Sequence, residues 1–499
     1  MATEKPAVKL NNETLTKLPA EVAVPKYDRS AVQPNTVHIG VGGFHRAHQA
    51  VYLDDLLAMS DMPRWGECGI GVLQSDDRMR DAMKSQDCLY TLVVRSANEQ
   101  SARVIGSMVD YIYAPGNREA AIEKMAAEET KIVSLTITEG GYFIDDATGA
   151  FLKDHADIQH DVQNPREPIT SLGYILEALR RRIERGIKPF TVMSCDNLQG
   201  NGHVIERVLL EFAGMIDTKT QQWIAANVAF PNSMVDRITP TTKPQDIAAL
   251  RERFGVDDAW PVVTEPFIQW VIEDRFCNGR PQWERFDSVT MVDDVAPYEL
   301  MKMRLLNASH MAIAYLGALT GYPLVHEVMQ DPLYTTFVER FMEECTPVVP
   351  KIPGVDLPLY KRTLVERFSN PTINDQVTRL CSEGSAKMPK WVIPSIAELL
   401  QQGRKTTLLS LVVAAWIHYL RAGVDELGKP LEIIDARAAE LIAIAKTVKD
   451  DPMPMLSISN IYGPELPKNA AFVAEVREAM ALIQQKGAKG AIQHYLATE

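Results

Sequence analysis

The chain has 499 residues, too many for one ordinary hydrophobic core, so two or three domains are expected from length alone. Hydrophobic residues at 46% and charged ones at 23% match a soluble globular protein. A net charge of -13 disfavours nucleic acid and anionic membrane surfaces as partners, since both would repel it.

Residues 1–6 lack the apolar core of a leader peptide, and no window approaches the ~18 apolar residues of a spanning helix. The six cysteines are scattered without a CxxC pair, which reads as reduced thiols in a cytoplasmic enzyme. Residues 1 to 35 carry four prolines amid mixed charge and read as an arm over the domain surface. A β-prone run at 36–39 then meets Gly40-Val41-Gly42-Gly43-Phe44-His45-Arg46, and a helix follows through Leu53 and Leu57. Strand, glycine turn and helix start can hold a pyrophosphate on backbone amides. Gly40 would allow the tight turn and Gly42 the close approach of phosphate oxygens. His45 stands where GxGxxG has its third glycine, so the motif alone is weak, and an ordinary glycine turn remains an alternative.

The next strand, 68–73, ends in Gln74-Ser75-Asp76-Asp77-Arg78. Asp76 or Asp77 could hold the adenosine ribose and favour NAD over NADP, although a helix cap needs the same residue types. Arg78 would partly offset the repulsion of a 2′-phosphate. A buried strand at 131–138 delivers Glu139-Gly140-Gly141, and another at 190–195 delivers Asp196-Asn197, with a helix over 172–185 between them. Strands alternating with helices predict an α/β Rossmann-type domain with a doubly wound parallel sheet. After Pro297 the pattern turns helical, at 335–344, 392–401, 407–421, 432–448 and 470–486. The expected division is a nucleotide-binding domain, 1–290, and a mainly α-helical domain, 291–499.

The run 298–310 reads as one helix. At about 100° per residue, Glu299, Lys302, Leu306 and His310 share one face and Asn307 borders it. That face is either solvated or lines a cleft.

Val37 through His48, Thr138-Glu139-Gly140-Gly141-Tyr142, Ser194-Cys195-Asp196-Asn197, Met234-Val235-Asp236-Arg237-Ile238-Thr239-Pro240 and Lys302-x4-Asn307-x2-His310 resemble the polyol-specific long-chain dehydrogenases, in order along nearly the whole chain. The resemblance implies a metal-independent oxidoreductase that interconverts D-mannitol and D-fructose with NAD, its site lying between the two domains. It makes Lys302 the general base and Asn197 and Asn307 the holders of the substrate oxygen. Asp236, His310, Arg379 and Lys387 would contact the polyol, and Glu299 would serve a proton exit. Gly40, Gly42, Gly43, Phe44, His45, Arg46, Asp76, Asp77 and Glu139 form the candidate cofactor set. His45 agrees with the family's own form of the glycine turn. The resemblance leans towards a monomer.

The chemistry requires a base, a site for a developing alkoxide and a hydride acceptor, and two amide donors suit the oxyanion. Lysine titrates near ~10.4, so desolvation and a neighbouring cation must lower it. His310 needs no such shift and is the alternative base on chemistry alone. Glu299 could instead be an ion pair on a solvated face. Asp236-Arg237 could be a buried structural pair, and Arg379 with Lys387 an ordinary exposed one. His45 and His48 stand three apart, but structural or phosphate-proximal roles beside the turn outweigh metal ligation. Alternative substrates are D-arabinitol and a hexuronate such as fructuronate, which would need Arg379 or Lys387 for its carboxylate. A nucleotide-binding regulator would need none of Lys302, Asn197, Asn307 and His310.

Overall fold

The β-prone runs of the first half build a five-stranded sheet. In the computed structural model, which describes residues 7–59, 61, 64–145 and 148–498, its strands are β1 (Gln33–Ile39), β2 (Trp65–Gly71), β3 (Met108–Tyr113), β4 (Ile132–Leu135) and β5 (Thr191–Ser194). They lie in the order β3-β2-β1-β4-β5, and every neighbouring pair is parallel. Parallel sheets need helices on both faces, so their strands read as unbroken apolar runs. Val37, Ile39, Val133 and Leu135 are accordingly all buried. Helices Arg118–Ala126, Ser171–Arg185 and Asn201–Ile216 supply one hydrophobic cluster against these strands. Tyr52, Leu53 and Leu56 of Gln49–Leu57 pack with Ile132 and Met193 in another. The chain leaves β1 for one side and β4 for the other, and at such a reversal the carboxyl ends of the strands open a crevice.

Smaller sheets flank this core. Tyr90–Arg95 and Gln100–Ile105 form an antiparallel hairpin that takes Val262–Thr264 on one side and Val22–Ala23 on the other. Ser233–Asp236, Gln269–Glu273 and Val289–Val292 make a three-stranded sheet. The arm is therefore stitched into sheet edges, through Val22–Ala23 and through Val8–Lys9 beside Val256–Asp257, rather than simply draped over the surface. The leader-peptide reading of residues 1–6 lies outside the described residues.

The chain divides into two units, the first ending at Ala296 and the second beginning at Pro297. The boundary expected near 290 falls inside the strand Val289–Val292, whose pairing with Gln269–Glu273 keeps it in the first unit. The second unit is helical. Its core is centred on Ala308–Leu319, nearly all of it buried, and Thr407–Ala422, most of it buried, and the latter packs along Ala470–Thr498. That last helix runs past 486 because it continues beyond a break at Gly487, φ +71°. The helix expected over 432–448 starts only at Ala438, since the Asp435 carboxylate holds the Arg437 N–H at 2.9 Å and keeps the preceding chain in a turn. Among the described residues no helix is long and apolar enough to cross a membrane.

Candidate active site

The glycine turn is held by the two strands beside it. Gly40 has φ +90°, and a Cβ there would lie 2.2 Å from the Thr136 carbonyl oxygen at the end of β4. Only glycine tolerates that approach. The Gly40 N–H donates to the Ile70 carbonyl at 3.1 Å, and the Thr136 hydroxyl donates to the Gly40 carbonyl at 2.7 Å. Gly42 differs. A Cβ on it would meet nothing nearer than the Gly40 oxygen at 3.9 Å, so the space before it is open to a ligand. Gly43 opens the short helix Gly43–Ala47, and Phe44 stacks on His48 with ring centroids 4.9 Å apart.

A cavity of about 320 Å³ lies over this turn, walled by Gly40, Val41, Gly42, Leu73, Asp76, Ile137, Thr138 and Gly141. The Asp76 carboxylate accepts the Leu73 N–H at 2.9 Å, and burial raises its pKa above the ordinary value. Asp77 is exposed, and its carboxylate takes the Arg78 N–H at 2.7 Å. Of the two acids, Asp76 is the one on the wall. Arg78 stacks on Trp260, 4.2 Å from the ring centre. Glu139 is exposed, while its neighbour Thr138 lines the cavity.

Two residues of the turn face inward, contrary to the cofactor-contact expectation. His45 is buried, with Nε2 3.1 Å from the Glu67 carboxylate and its ring stacked 3.5 Å from that of His38. Burial pushes His45 down to about 3 and Glu67 up to about 7, both away from their charged forms. Arg46 is 1% exposed and donates to the Gly42 and Trp260 carbonyls. Both side chains brace the turn from beneath, which leaves its backbone amides as the ligand-facing groups. His48 Nε2 lies 3.0 Å from the Gln269 carbonyl, so His45 and His48 turn to different partners. Among the described residues no group of three His, Cys, Asp or Glu side chains could hold a metal ion.

Asn197 and Asp236 sit at strand ends fixed by the side chains of Asp196, Asn201 and Arg237. The Asp196 carboxylate accepts the Ile137 and Thr138 N–H groups at 3.0 and 2.9 Å and the Tyr142 hydroxyl at 2.6 Å, which ties the end of β5 to that of β4. The Asn201 amide donates to the Asp196 and Ser233 carbonyls at 3.0 and 2.7 Å and accepts the Ser233 N–H at 2.9 Å. Arg237, beside Asp236, is buried and donates to the Glu265 and Ala47 carbonyls. Asp196 was visible at the strand end in the sequence, but its bracing role was not, because its partners lie 54 to 59 residues earlier in the chain.

In the second unit, Glu299, Lys302 and Asn307 are 5%, 7% and 4% exposed, which rules out a solvated face. The helix that bears them is interrupted: Ala296–Lys302 is α-helical, Met303–Asn307 is a π turn, and Ala308–Leu319 is α-helical again. His310 lies 5.0 Å, ring to ring, from Phe368. Arg379 makes a bidentate pair with Asp375 at 2.6 and 2.5 Å. The Lys387 ammonium lies 3.3 Å from the Arg379 and Leu380 carbonyls and the Ser382 hydroxyl, and burial with nearby Arg379 pushes it down to about 8.

A 3-2-1-4-5 parallel sheet with a glycine turn under a cavity, followed by a helical unit with a buried acid, amine and amide on one helix, has the build of a two-domain dehydrogenase. Residues 34–285 match the mannitol dehydrogenase Rossmann domain, and residues 294–484 match the mannitol dehydrogenase C-terminal domain. Mannitol 2-dehydrogenase of Aspergillus fumigatus is 47% identical over 500 residues, covering 98% of this chain and 99% of that one. The structure of Pseudomonas fluorescens mannitol 2-dehydrogenase in a ternary complex with NAD and D-mannitol is 45% identical, with a TM-score of 0.88 over 99% of this chain and 100% of that one. A D-sorbitol dehydrogenase in substrate-free form is 37% identical, with a TM-score of 0.89 over 97% and 100%. The chain belongs to the mannitol dehydrogenase family and is a polyol dehydrogenase.

Proposed function

We propose that the protein oxidises D-mannitol to D-fructose, reversibly, with NAD as hydride acceptor and without a metal. The observation that carries this reading is the burial of Glu299, Lys302 and Asn307 on one helix of a chain that also has a nucleotide-sized cavity over its glycine turn. The cradle fits NAD: Gly40 admits the approach of β4, Gly42 leaves room for a pyrophosphate, and Asp76 stands where a ribose hydroxyl can be accepted. When bound, NAD supplies the acceptor for the hydride.

The chain's own groups handle the proton and the oxygen. Lys302, neutral at the moment of reaction, takes the hydroxyl proton, and Asn197 and Asn307 donate to the developing alkoxide. Glu299, one turn before Lys302, passes the proton towards solvent. Asp236, His310, Arg379 and Lys387 orient the polyol hydroxyls. A hexuronate is the weaker reading. Arg379 is already paired with Asp375, so its charge is committed, and Lys387, held by two carbonyls and a hydroxyl and pushed down to about 8, is the one cation of the two left for a carboxylate.

A panel of D-mannitol, D-arabinitol, D-sorbitol and D-mannonate, each with NAD and NADP and with a chelator present, tests the assignment. The expected result is the highest kcat/KM for D-mannitol with NAD, unaffected by the chelator. A preference for mannonate, or loss of turnover on metal removal, would overturn it.

A further inference from the structure

Lys302 and Asn307 are five residues apart. In an unbroken α-helix that spacing separates two side chains by about 140°, too far to serve one substrate oxygen. The π turn changes this. The Ala308 N–H reaches back to the Met303 carbonyl, five residues earlier, alongside a contact to Leu305. One π turn accommodates one extra residue in a helix, so residues on its two sides relate as though one position were missing.

Glu299 leads Lys302 by three, Lys302 and Asn307 act as an i,i+4 pair, and Lys302 and His310 act as i,i+7. All four then fall on one stripe about 80° wide. Asn307 takes the place that an unbroken helix would give to Leu306, which moves to the flank. The polar face expected from the sequence is thus corrected by one residue: an amide replaces a leucine.

We propose that the π turn Met303–Asn307 is the register device that brings the amine and the amide of the site onto one face, with Arg304 as the positioning residue that pins it. This rests on the assignment of Lys302 and Asn307 made above. Arg304 lies inside the turn, is 7% exposed, and is paired with Glu398 of the helix Ile393–Gln401. The turn also packs against the helices Pro332–Cys345 and Gly384–Trp391, the second of which carries Lys387. Such turns are rare and less favourable than continuous α-helix, so they persist where neighbours hold them.

Deleting Met303 should convert the turn to regular α-helix and leave Lys302 and Asn307 as a true i,i+4 pair. NAD-dependent polyol oxidation should then stay within about tenfold of wild type. Inserting an alanine between Met303 and Arg304 should swing Lys302 by about 100° and lower kcat about 100-fold or more, with the Kd for NAD unchanged. Arg304→Ala should lower kcat about tenfold while KM for NAD holds, and Arg304→Lys should restore most of it. A Met303 deletion that is folded and binds NAD yet is as inactive as Lys302→Ala would overturn the proposal. If the deletion does not fold, wild-type kcat in both the insertion and Arg304→Ala would overturn it. Full turnover in Lys302→Ala is a separate result, which removes the base assignment rather than the register claim.

Discussion

At the scale of single residues, the nucleotide side makes its sharpest demand at Asp76. It is the acid on the cavity wall, while Asp77 takes the N–H of its own neighbour and Arg78 is stacked on Trp260. In the proposed role, a carboxylate there would accept from a ribose hydroxyl and repel a 2′-phosphate. Asp76→Ser should therefore shift the ratio of kcat/KM for NAD to that for NADP towards NADP by about 10- to 100-fold. An unchanged ratio would mean that selectivity lies elsewhere. Burial also raises the pKa of Asp76, so the discrimination should weaken on the acid side as the carboxyl takes up a proton.

At the scale of elements, the glycine turn and the interrupted helix carry the account. Gly40→Ala would push a methyl group to 2.2 Å from the Thr136 oxygen at a φ of +90°. The turn must then shift, at a cost of about 1–3 kcal/mol. Thermal unfolding should drop by several degrees, and titration with NAD should show weakened binding; a variant with unchanged midpoint and affinity would show the turn to be more yielding than its geometry. How much of this was legible in the sequence differs between the two elements. Glycines between a β-prone run and a helix announce a turn, because few other residues can make it. The inward course of His45 and Arg46 was not legible, since partners such as Glu67 and Trp260 lie far along the chain. The helix over 298–310 was recognisable from its apolar residues, but periodicity assumes a constant angle per residue. A π turn breaks that assumption without any compositional mark, so Asn307 was placed at the border of the face it shares.

At the scale of the whole molecule, the buried pair beneath the turn links folding to pH. Glu67 is pushed by burial from 4.5 to about 7. Between those values the native state holds a proton that the unfolded chain has released, so this group makes stability fall as pH rises through that window. His45, pushed down from 6.5 to about 3, gives the opposite slope between about 3 and 6.5. Glu67→Gln keeps a neutral hydrogen-bonding side chain and removes only the first slope. Its unfolding midpoint, relative to wild type, should therefore rise from pH 5 to pH 8, and parallel curves would show that Glu67 is ionised in the native state.

The two units have different legibility for a simple reason. The first carries alternating strands and glycines, whose signals are local, and the second is helix upon helix, where length and phase are set by packing. The family resemblance covered both, and the match of 34–285 and 294–484 to the two mannitol dehydrogenase domains agrees with it. What composition alone supplied was limited to size, charge and the absence of a long apolar run.

The most direct measurement is the initial rate of NAD reduction by D-mannitol, with a chelator present, for wild type and Lys302→Ala alongside a binding titration with NAD. The account predicts metal-independent turnover by the wild type, a loss of about 100- to 10,000-fold in kcat for Lys302→Ala, and unchanged NAD affinity. Wild-type turnover by Lys302→Ala would contradict it.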